Sequence, residues 1–142
     1  MKIAIGNDHA GVEFKNKIMQ ELRSKGYEIV NMGTDTLDSV DYPDFAKEVS
    51  EKVLKGEVKF GILICGTGIG ISIAANRIKG IRAALCHNEY TAKLARLHND
   101  ANIIALGARI LGTDLGLACI EAFVNTEFEG GRHARRVGKI EL

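Results

Sequence analysis

The 142-residue chain contains no tryptophan, one proline and three cysteines. So little proline beside 46% hydrophobic residues excludes a disordered chain, since such chains are poor in apolar side chains. The cysteines Cys65, Cys86 and Cys119 are odd in number and form no Cys-x-x-Cys pair, which argues against a disulfide framework and a cysteine zinc site. We therefore expect three reduced thiols.

Basic and acidic residues nearly balance, so the formal net charge is only +1. The chain thus has no broad basic field that would hold a nucleic acid or an anionic membrane. It also lacks an uninterrupted apolar run of about 18 residues, and its first residues lack the apolar segment of a signal peptide. We expect a cytoplasmic protein that binds neither nucleic acid nor membrane.

The length is that of one domain, so we predict a single domain over residues 1–142 that ends in a basic tail over 128–142. Short apolar or β-branched runs predict strands at 3–5, 28–30, 60–64, 82–86 and 102–106. Amphipathic segments between and after them predict helices at 12–25, 44–55, 69–78, 89–98 and 113–123. This alternation predicts a parallel sheet of about five strands with helices on both faces.

Polar residues follow four of the predicted strands. They are Asp8 and His9 after the first, Cys65 and Thr67 after the third, His87 after the fourth, and residues 107–109 after the fifth. Ligands of such sheets bind beyond the carboxyl ends of the strands. We therefore expect the site at that edge.

The turn Cys65–Gly70 joins a predicted strand to a predicted helix. Its glycines and the helix N-terminus expose several N–H groups together, which suits an oxyanion, and the same field stabilises a thiolate at Cys65. Glycines also serve close strand-to-helix packing, so the turn alone does not decide between these roles. For Cys86 and Cys119 we favour small buried hydrophobes, and we expect Cys65 to be the accessible thiol.

The tail carries the densest basic cluster. Arg132 and Arg136 would share one face of a helix, where like charges repel unless an anion lies between them. This spacing suggests a phosphate clamp, although such clusters are more often solvated faces.

Three further features have simpler interpretations. Asp8 could cap a helix ahead of a turn histidine, residues 98–100 could end a helix, and Tyr42 before Pro43 could be an anchoring aromatic.

Taken together, the motifs resemble the B-type ribose-5-phosphate isomerases over nearly the whole chain. The matching segments are Asp8–Gly11, Asp41–Asp44, Cys65–Gly70 with Ser72–Asn76, Ile81–Ala84, His98–Asn102, Gly107–Arg109 and Gly130–His133. One departure is Asn7, where many members of that family have serine. The resemblance implies a Rossmann-like three-layer α/β/α fold, a homodimer or a tetramer with sites at the subunit interface, a phosphorylated sugar substrate, and no metal or organic cofactor.

The resemblance also implies roles for residues. Cys65 corresponds to the catalytic proton acceptor and Thr67 to a residue that assists proton transfer. Asp8 and His98 match positions linked to opening the sugar ring, and Asn99 matches one that holds the reacting oxygens. The remaining matches bind substrate: the amides of Gly66, Gly68, Ile69 and Gly70 as an anion hole, His9, Arg109, Arg132 and Arg136 at the phosphate, and Tyr42 in the pocket wall.

The implied reaction interconverts ribose 5-phosphate and ribulose 5-phosphate through a cis-enediolate, a step of the pentose phosphate pathway. Three alternatives remain open: an isomerase of a six-carbon phosphate such as allose 6-phosphate or galactose 6-phosphate, a non-catalytic nucleotide-binding module, and a thiol redox protein that uses Cys65. The turn lacks the Gly-Lys-Ser/Thr ending of a nucleotide phosphate loop, and no resolving cysteine lies near Cys65 in the sequence.

Overall fold

The computed structural model describes residues 1–141, and its centre is one parallel sheet with the strand order β2-β1-β3-β5-β4. The strands are β1 (Lys2–Asn7), β2 (Glu28–Asn31), β3 (Phe60–Cys65), β4 (Ala83–Leu85) and β5 (Ile103–Gly107). All neighbouring strands pair in parallel. The five-stranded parallel sheet predicted from the sequence is thus confirmed.

Six α-helices surround the sheet: α1 (Val12–Ser24), α2 (Tyr42–Leu54), α3 (Ile69–Asn76), α4 (Glu89–Asn99), α5 (Thr113–Val124) and α6 (Arg132–Ile140), with a 3-10 turn at His9–Gly11. The last of them lies in the basic tail. Across residues 1–141, no helix combines the length and the apolar character that crossing a membrane requires.

Strand side chains alternate between two buried clusters, as expected for a sheet covered on both faces. Ile62 and Ile64 of β3 join the cluster that contains side chains of α1, α4 and α5. Leu63 and Cys65 join the cluster that contains side chains of α2 and α3. The molecule therefore has three layers, and Cys65 faces the α2–α3 layer.

Helix ends follow local chemistry. Gly26 and Gly56 come just after α1 and α2 with φ angles of 92° and 72°, in the left-handed region that glycine adopts without strain. Helix α2 begins two residues before the predicted position because Pro43 lies in its first turn, where no intrahelical N–H is required.

The strand order places a topological switch between β1 and β3. From β1 the chain passes to β2 on one side, and β3 then pairs on the other side of β1. The connections that leave β1 and β3 therefore diverge, which opens a crevice at their carboxyl ends. Asn7 pairs with Ile64 there, so the residues that follow both strands are neighbours.

Candidate active site

The first part of the site lies at the switch point. Cys65 ends β3, and the backbone N–H of Asp8 donates to the Ile64 carbonyl at 3.2 Å. Asp8 and Cys65 are 6% and 5% exposed. The sequence analysis expected an accessible thiol at Cys65; in the single chain this thiol is instead buried, because it points into the packed α2–α3 layer.

The glycine turn folds back onto the thiol. Gly68, at φ 79°, donates its N–H to Cys65 Sγ at 3.2 Å, and the Ile69 N–H donates to Thr67 Oγ1 at 3.1 Å. The N-terminus of α3 adds positive potential beside the turn. Two amides of the expected anion hole are thus already paired within the turn, so a bound oxyanion would share or replace these contacts.

Two glycines allow the turn to pack this closely. A Cβ atom at Gly107 would lie 2.6 Å from the Thr67 carbonyl oxygen, and one at Gly68 would lie 2.7 Å from Leu85 Cδ1. Both distances are too short for a real side chain. The end of β5 and the turn therefore fit only because these Cβ atoms are absent.

Arg109 and Tyr42 flank the same turn. The Arg109 N–H donates to the Gly66 carbonyl at 2.9 Å, and its guanidinium lies 3.0 Å from where a Gly66 Cβ would be. The Tyr42 ring covers Gly70, with Cζ 2.6 Å from the position of a Cβ there. An exposed guanidinium and an aromatic wall therefore lie beside Cys65.

Asp8 and His9 both make local hydrogen bonds. Asp8 Oδ1 accepts the Ala10 N–H at 3.0 Å, which bears out the capping interpretation. His9 Nδ1 accepts the Val40 N–H at 3.2 Å. A neutral His9 ring consequently carries its proton on Nε2, so Nε2–H can donate to an anion.

His98 and Asn99 lie elsewhere. Helix α4 starts beyond the carboxyl end of β4 and runs back to Asn99, shortly before β5 begins at Ile103. Because Gly61 pairs with Ile103 and Cys65 with Gly107, four residues of strand, about 13 Å at 3.3 Å each, separate the two edges. Within one chain, the fold does not bring His98 or Asn99 to Cys65.

Helix α6 is also at this amino-terminal edge. The His98 and His133 rings stack with centroids 4.3 Å apart and planes at 16°, and the Gly80 N–H donates to Glu141 Oε2 at 3.1 Å. Arg132 and Arg136 are therefore on the side of His98, and both are exposed. A cavity of about 590 Å³ opens nearby and is lined in part by Asn99, Arg82 and Ile140.

The end of α4 is rigidly built. Asp100 closes the helix in the left-handed region at φ 46°, as the helix-ending interpretation expected. The buried Arg96 donates to Asp100 Oδ1 at 2.8 Å and to the Ala101 carbonyl at 2.7 Å, and its guanidinium lies 4.8 Å from the Phe60 ring centroid. These contacts fix the turn that carries His98 and Asn99.

Ligand atoms of His98, Glu129 and His133 lie within 4.8 Å of one another. The two imidazoles are nearly parallel, however, so their in-plane lone pairs cannot converge on one ion about 2.1 Å from each nitrogen. The arrangement is a ring stack rather than a metal centre. Burial, and then the neighbouring His98, lower the pKa of His133, and the buried Nε2 has no hydrogen-bond partner among residues 1–141.

The buried charge of Lys15 was not identified from the sequence. The Lys15 side chain is fully buried. The signal was available, because Lys15 lies three residues after Val12 and three before Ile18 and so falls on the apolar stripe of α1.

Comparisons with known proteins agree with this architecture. The sequence profile of the Ribose/Galactose Isomerase family matches residues 3–140. Ribose-5-phosphate isomerase B of Escherichia coli is 47% identical over 98% of this chain and 93% of its own, and a putative sugar phosphate isomerase of Bacillus subtilis is 52% identical over 99% and 95%.

Solved structures give the same result. The ribose-5-phosphate isomerase B of Clostridium thermocellum superposes with a TM-score of 0.97 at 55% identity, covering 99% of this chain and 95% of that one. The Thermotoga maritima enzyme also has a TM-score of 0.97, at 52% identity over 99% and 97%. The chain therefore belongs to the ribose/galactose isomerase family, and it is an isomerase.

Proposed function

We propose that the protein interconverts ribose 5-phosphate and ribulose 5-phosphate at a site completed by two copies of the chain. The observation that carries this proposal is the separation of the two residue sets. Cys65, Asp8 and Arg109 lie at the carboxyl edge of the sheet, whereas His98 and Asn99 lie at the amino edge. A second copy that presents its amino edge to the first carboxyl edge would unite them in a homodimer.

An exposed apolar surface next to the glycine turn is consistent with such a partner. Ile69 and Ile73 lie one turn apart on α3 and are 50% and 59% exposed. Isoleucines of this exposure on consecutive turns gain free energy when a second chain covers them. Their helix starts at the turn that holds Cys65, so the surface borders the site.

Ring opening is the first chemical step, because the substrate is mainly a closed furanose. It requires one group that accepts the ring hydroxyl proton and one that donates to the ring oxygen. Asp8 supplies a carboxylate, and His98 from the partner supplies an imidazole, a group that can both give and take a proton. Asn99 of the same partner would hold the oxygens so exposed.

Proton transfer between C2 and C1 follows. The Cys65 thiolate removes the C2 proton, and the electron pair passes into a cis-enediolate. A proton moves from O2 to O1, and the same sulfur returns its proton to C1, which leaves a carbonyl at C2 and a hydroxyl at C1. The Gly68 N–H donates to this sulfur, and the hydroxyl of Thr67, in the same turn, would assist the transfer. Fixed N–H donors at a developing oxyanion contribute about 3 to 4 kcal/mol each in comparable sites.

Phosphate binding would orient the sugar. Arg109 and the Nε2–H of His9 come from the carboxyl edge, and the exposed Arg132 and Arg136 of the partner come from the amino edge. Several such donors suit a dianion, because guanidinium groups bind phosphate oxygens in pairs. This reaction is a step of the pentose phosphate pathway, and we expect the enzyme in the cytoplasm.

A coupled assay tests the proposal. Ribose 5-phosphate, allose 6-phosphate and galactose 6-phosphate are compared as substrates in the presence of a chelator, with ATP and NAD binding measured in parallel. We expect the highest kcat/KM for ribose 5-phosphate and no binding of either nucleotide. A preference for a six-carbon substrate would transfer the proposal to that sugar, and nucleotide binding without turnover would refute it.

A further inference from the structure

Lys15 is a charged group for which the proposed reaction has no use. Its side chain is fully buried, and its Nζ donates to Asp35 Oδ1 at 2.5 Å, to the Thr34 carbonyl at 2.7 Å and to Asn31 Oδ1 at 3.2 Å. Three acceptors match the three N–H bonds of an ammonium group, so the buried charge is fully satisfied.

All three acceptors belong to one stretch of chain. They lie at the start of the segment 31–41, which begins with Asn31, the last residue of β2, and then continues to residue 41 without further helix or strand. Asn31 Nδ2 also donates to Asp35 Oδ1 at 2.9 Å. The hydrogen bonds from Lys15 first, and then from Asn31, lower the pKa of the Asp35 carboxyl. The first five residues of the segment 31–41 are therefore anchored to the ammonium group.

The same segment contacts the active site. The Thr34 carbonyl accepts a second hydrogen bond from Asn7 Nδ2 at 3.1 Å, and Asn7 directly precedes Asp8. Six residues after Thr34, the Val40 N–H donates to His9 Nδ1 at 3.2 Å. Only glycine fits at position 33, directly before Thr34, because a Cβ there would lie 1.7 Å from Asn7 Oδ1.

We propose that Lys15 is a positioning residue for His9. By fixing the segment 31–41, its ammonium group keeps the Val40 N–H on Nδ1 of His9. The neutral ring then holds its proton on Nε2, the nitrogen left to donate to the substrate phosphate. This inference rests on the proposed function, which assigns His9 to the phosphate group.

The test replaces Lys15 by methionine, which keeps the length of the side chain and removes its charge. Lys17→Met is the matched control, since Lys17 is exposed on the same helix and forms an ion pair with the exposed Glu13 at 3.5 Å. We expect Lys15→Met to raise KM for ribose 5-phosphate and the inhibition constant of inorganic phosphate at least fivefold, with kcat changed less than twofold. Lys17→Met should leave all three within twofold of the wild-type values.

A second measurement determines which nitrogen of His9 carries the proton, and it does not depend on catalysis. In ¹⁵N NMR spectra the two nitrogens of a neutral imidazole differ according to which one carries the proton, and His9→Gln assigns the signal. We expect a pure Nε2–H signature in the wild type and in Lys17→Met, and a mixed signature in Lys15→Met. Should Lys15→Met fail to fold, Asp35→Asn keeps the lysine and removes its charged partner, and it should shift both measurements in the same direction by a smaller amount.

The outcomes separate the two proposals. A folded Lys15→Met with wild-type phosphate inhibition and an unchanged His9 signature overturns the role of Lys15, as does an Asp35→Asn variant without effect where Lys15→Met does not fold. If His9→Gln leaves phosphate inhibition unchanged, the phosphate role of His9 in the proposed function is wrong. The NMR signature still decides whether Lys15 controls the tautomer.

Discussion

The buried thiol of Cys65 lies at the end of the central strand β3 and accepts one N–H, from Gly68. A substitution at Cys65 can therefore test its chemical role separately from its part in the fold. We expect Cys65→Ala to lower kcat at least 1000-fold, because no other group in the turn can carry the C2 proton. Binding of ribose 5-phosphate, measured by calorimetry, should change less than threefold, since the thiol contributes to the transition state more than to ground-state contacts. Cys86→Ala is the control, and Cys65→Ala activity within tenfold of wild type would remove Cys65 from the reaction.

Alkylation should distinguish the three thiols. Burial raises the pKa of both Cys86 and Cys119 to about 11, so only about one in a thousand of these thiols is ionised at pH 8. Cys65 is itself buried, but its 5% exposure exceeds the 1% of Cys86 and the 0% of Cys119. We therefore expect iodoacetamide at pH 8 to modify Cys65 first, with loss of activity in proportion, and ribose 5-phosphate to protect it. Mass spectrometry of the digested protein locates the label, and a first label on Cys86 or Cys119 would contradict this assignment.

The buried ring of His133 makes stability depend on pH. Its pKa in the folded state lies below the ordinary value of about 6.5, so the unfolded chain binds the proton more tightly. The free energy of unfolding should therefore fall as pH is lowered from about 7 to 5. His133→Phe keeps a ring against His98 and removes the titration, and urea unfolding at several pH values should show a smaller decrease. An equal decrease in both proteins would rule out His133 as its source.

At the scale of elements, the fit between β5 and the glycine turn controls the geometry at Cys65. A Cβ at position 107 would press on the Thr67 carbonyl, so Gly107→Ala should displace the turn. We expect kcat to fall at least 100-fold, with a loss of about 1 to 3 kcal/mol in unfolding free energy. The matched control is Gly112→Ala, because a Cβ there has no atom within 4 Å and should leave kcat within twofold. Comparable kcat values for both variants would contradict this coupling.

The elements themselves were predictable because apolar periodicity and glycine stops are local signals. The strands and the first five helices all appear, with ends shifted by one or two residues. Helix α6 was harder to predict, because its first turn is almost entirely basic and only His133 is buried. The hydrogen bonds that hold the segment 31–41 were not predictable, since Lys15 and its acceptors are 16 to 20 residues apart in the chain.

The candidate site was predictable in part, because local sequence signals locate the strands and so the residues at their ends. The parallel sheet required Asp8, Cys65 and Arg109 to follow strands at one edge, and the structure brings them together there. His98 became a candidate site residue only through the resemblance, whereas Arg132 was also suggested by the spacing of the basic residues in the tail. Their position at the opposite edge depends on how α4 returns across the sheet and how α6 packs on it.

At the scale of the whole molecule, the separation of the two residue sets predicts that neither can work alone. Cys65→Ala and His98→Ala should each be inactive as pure proteins, because every site in such a dimer lacks one essential group. Mixed and allowed to exchange subunits, about half of the dimers should be heterodimers. Each heterodimer pairs one intact Cys65 with one intact His98 from the other chain, which makes one complete site of two.

Activity of the mixture should therefore rise towards about a quarter of the wild-type value, half of the dimers having half of their sites restored. Native mass spectrometry of one isotope-labelled variant measures how far exchange has gone, and the recovered rate should follow the heterodimer fraction. Mixing Cys65→Ala with Cys65→Ser is the control, since no heterodimer then contains an intact thiol. Full exchange without recovery would show that Cys65 and His98 do not meet across subunits.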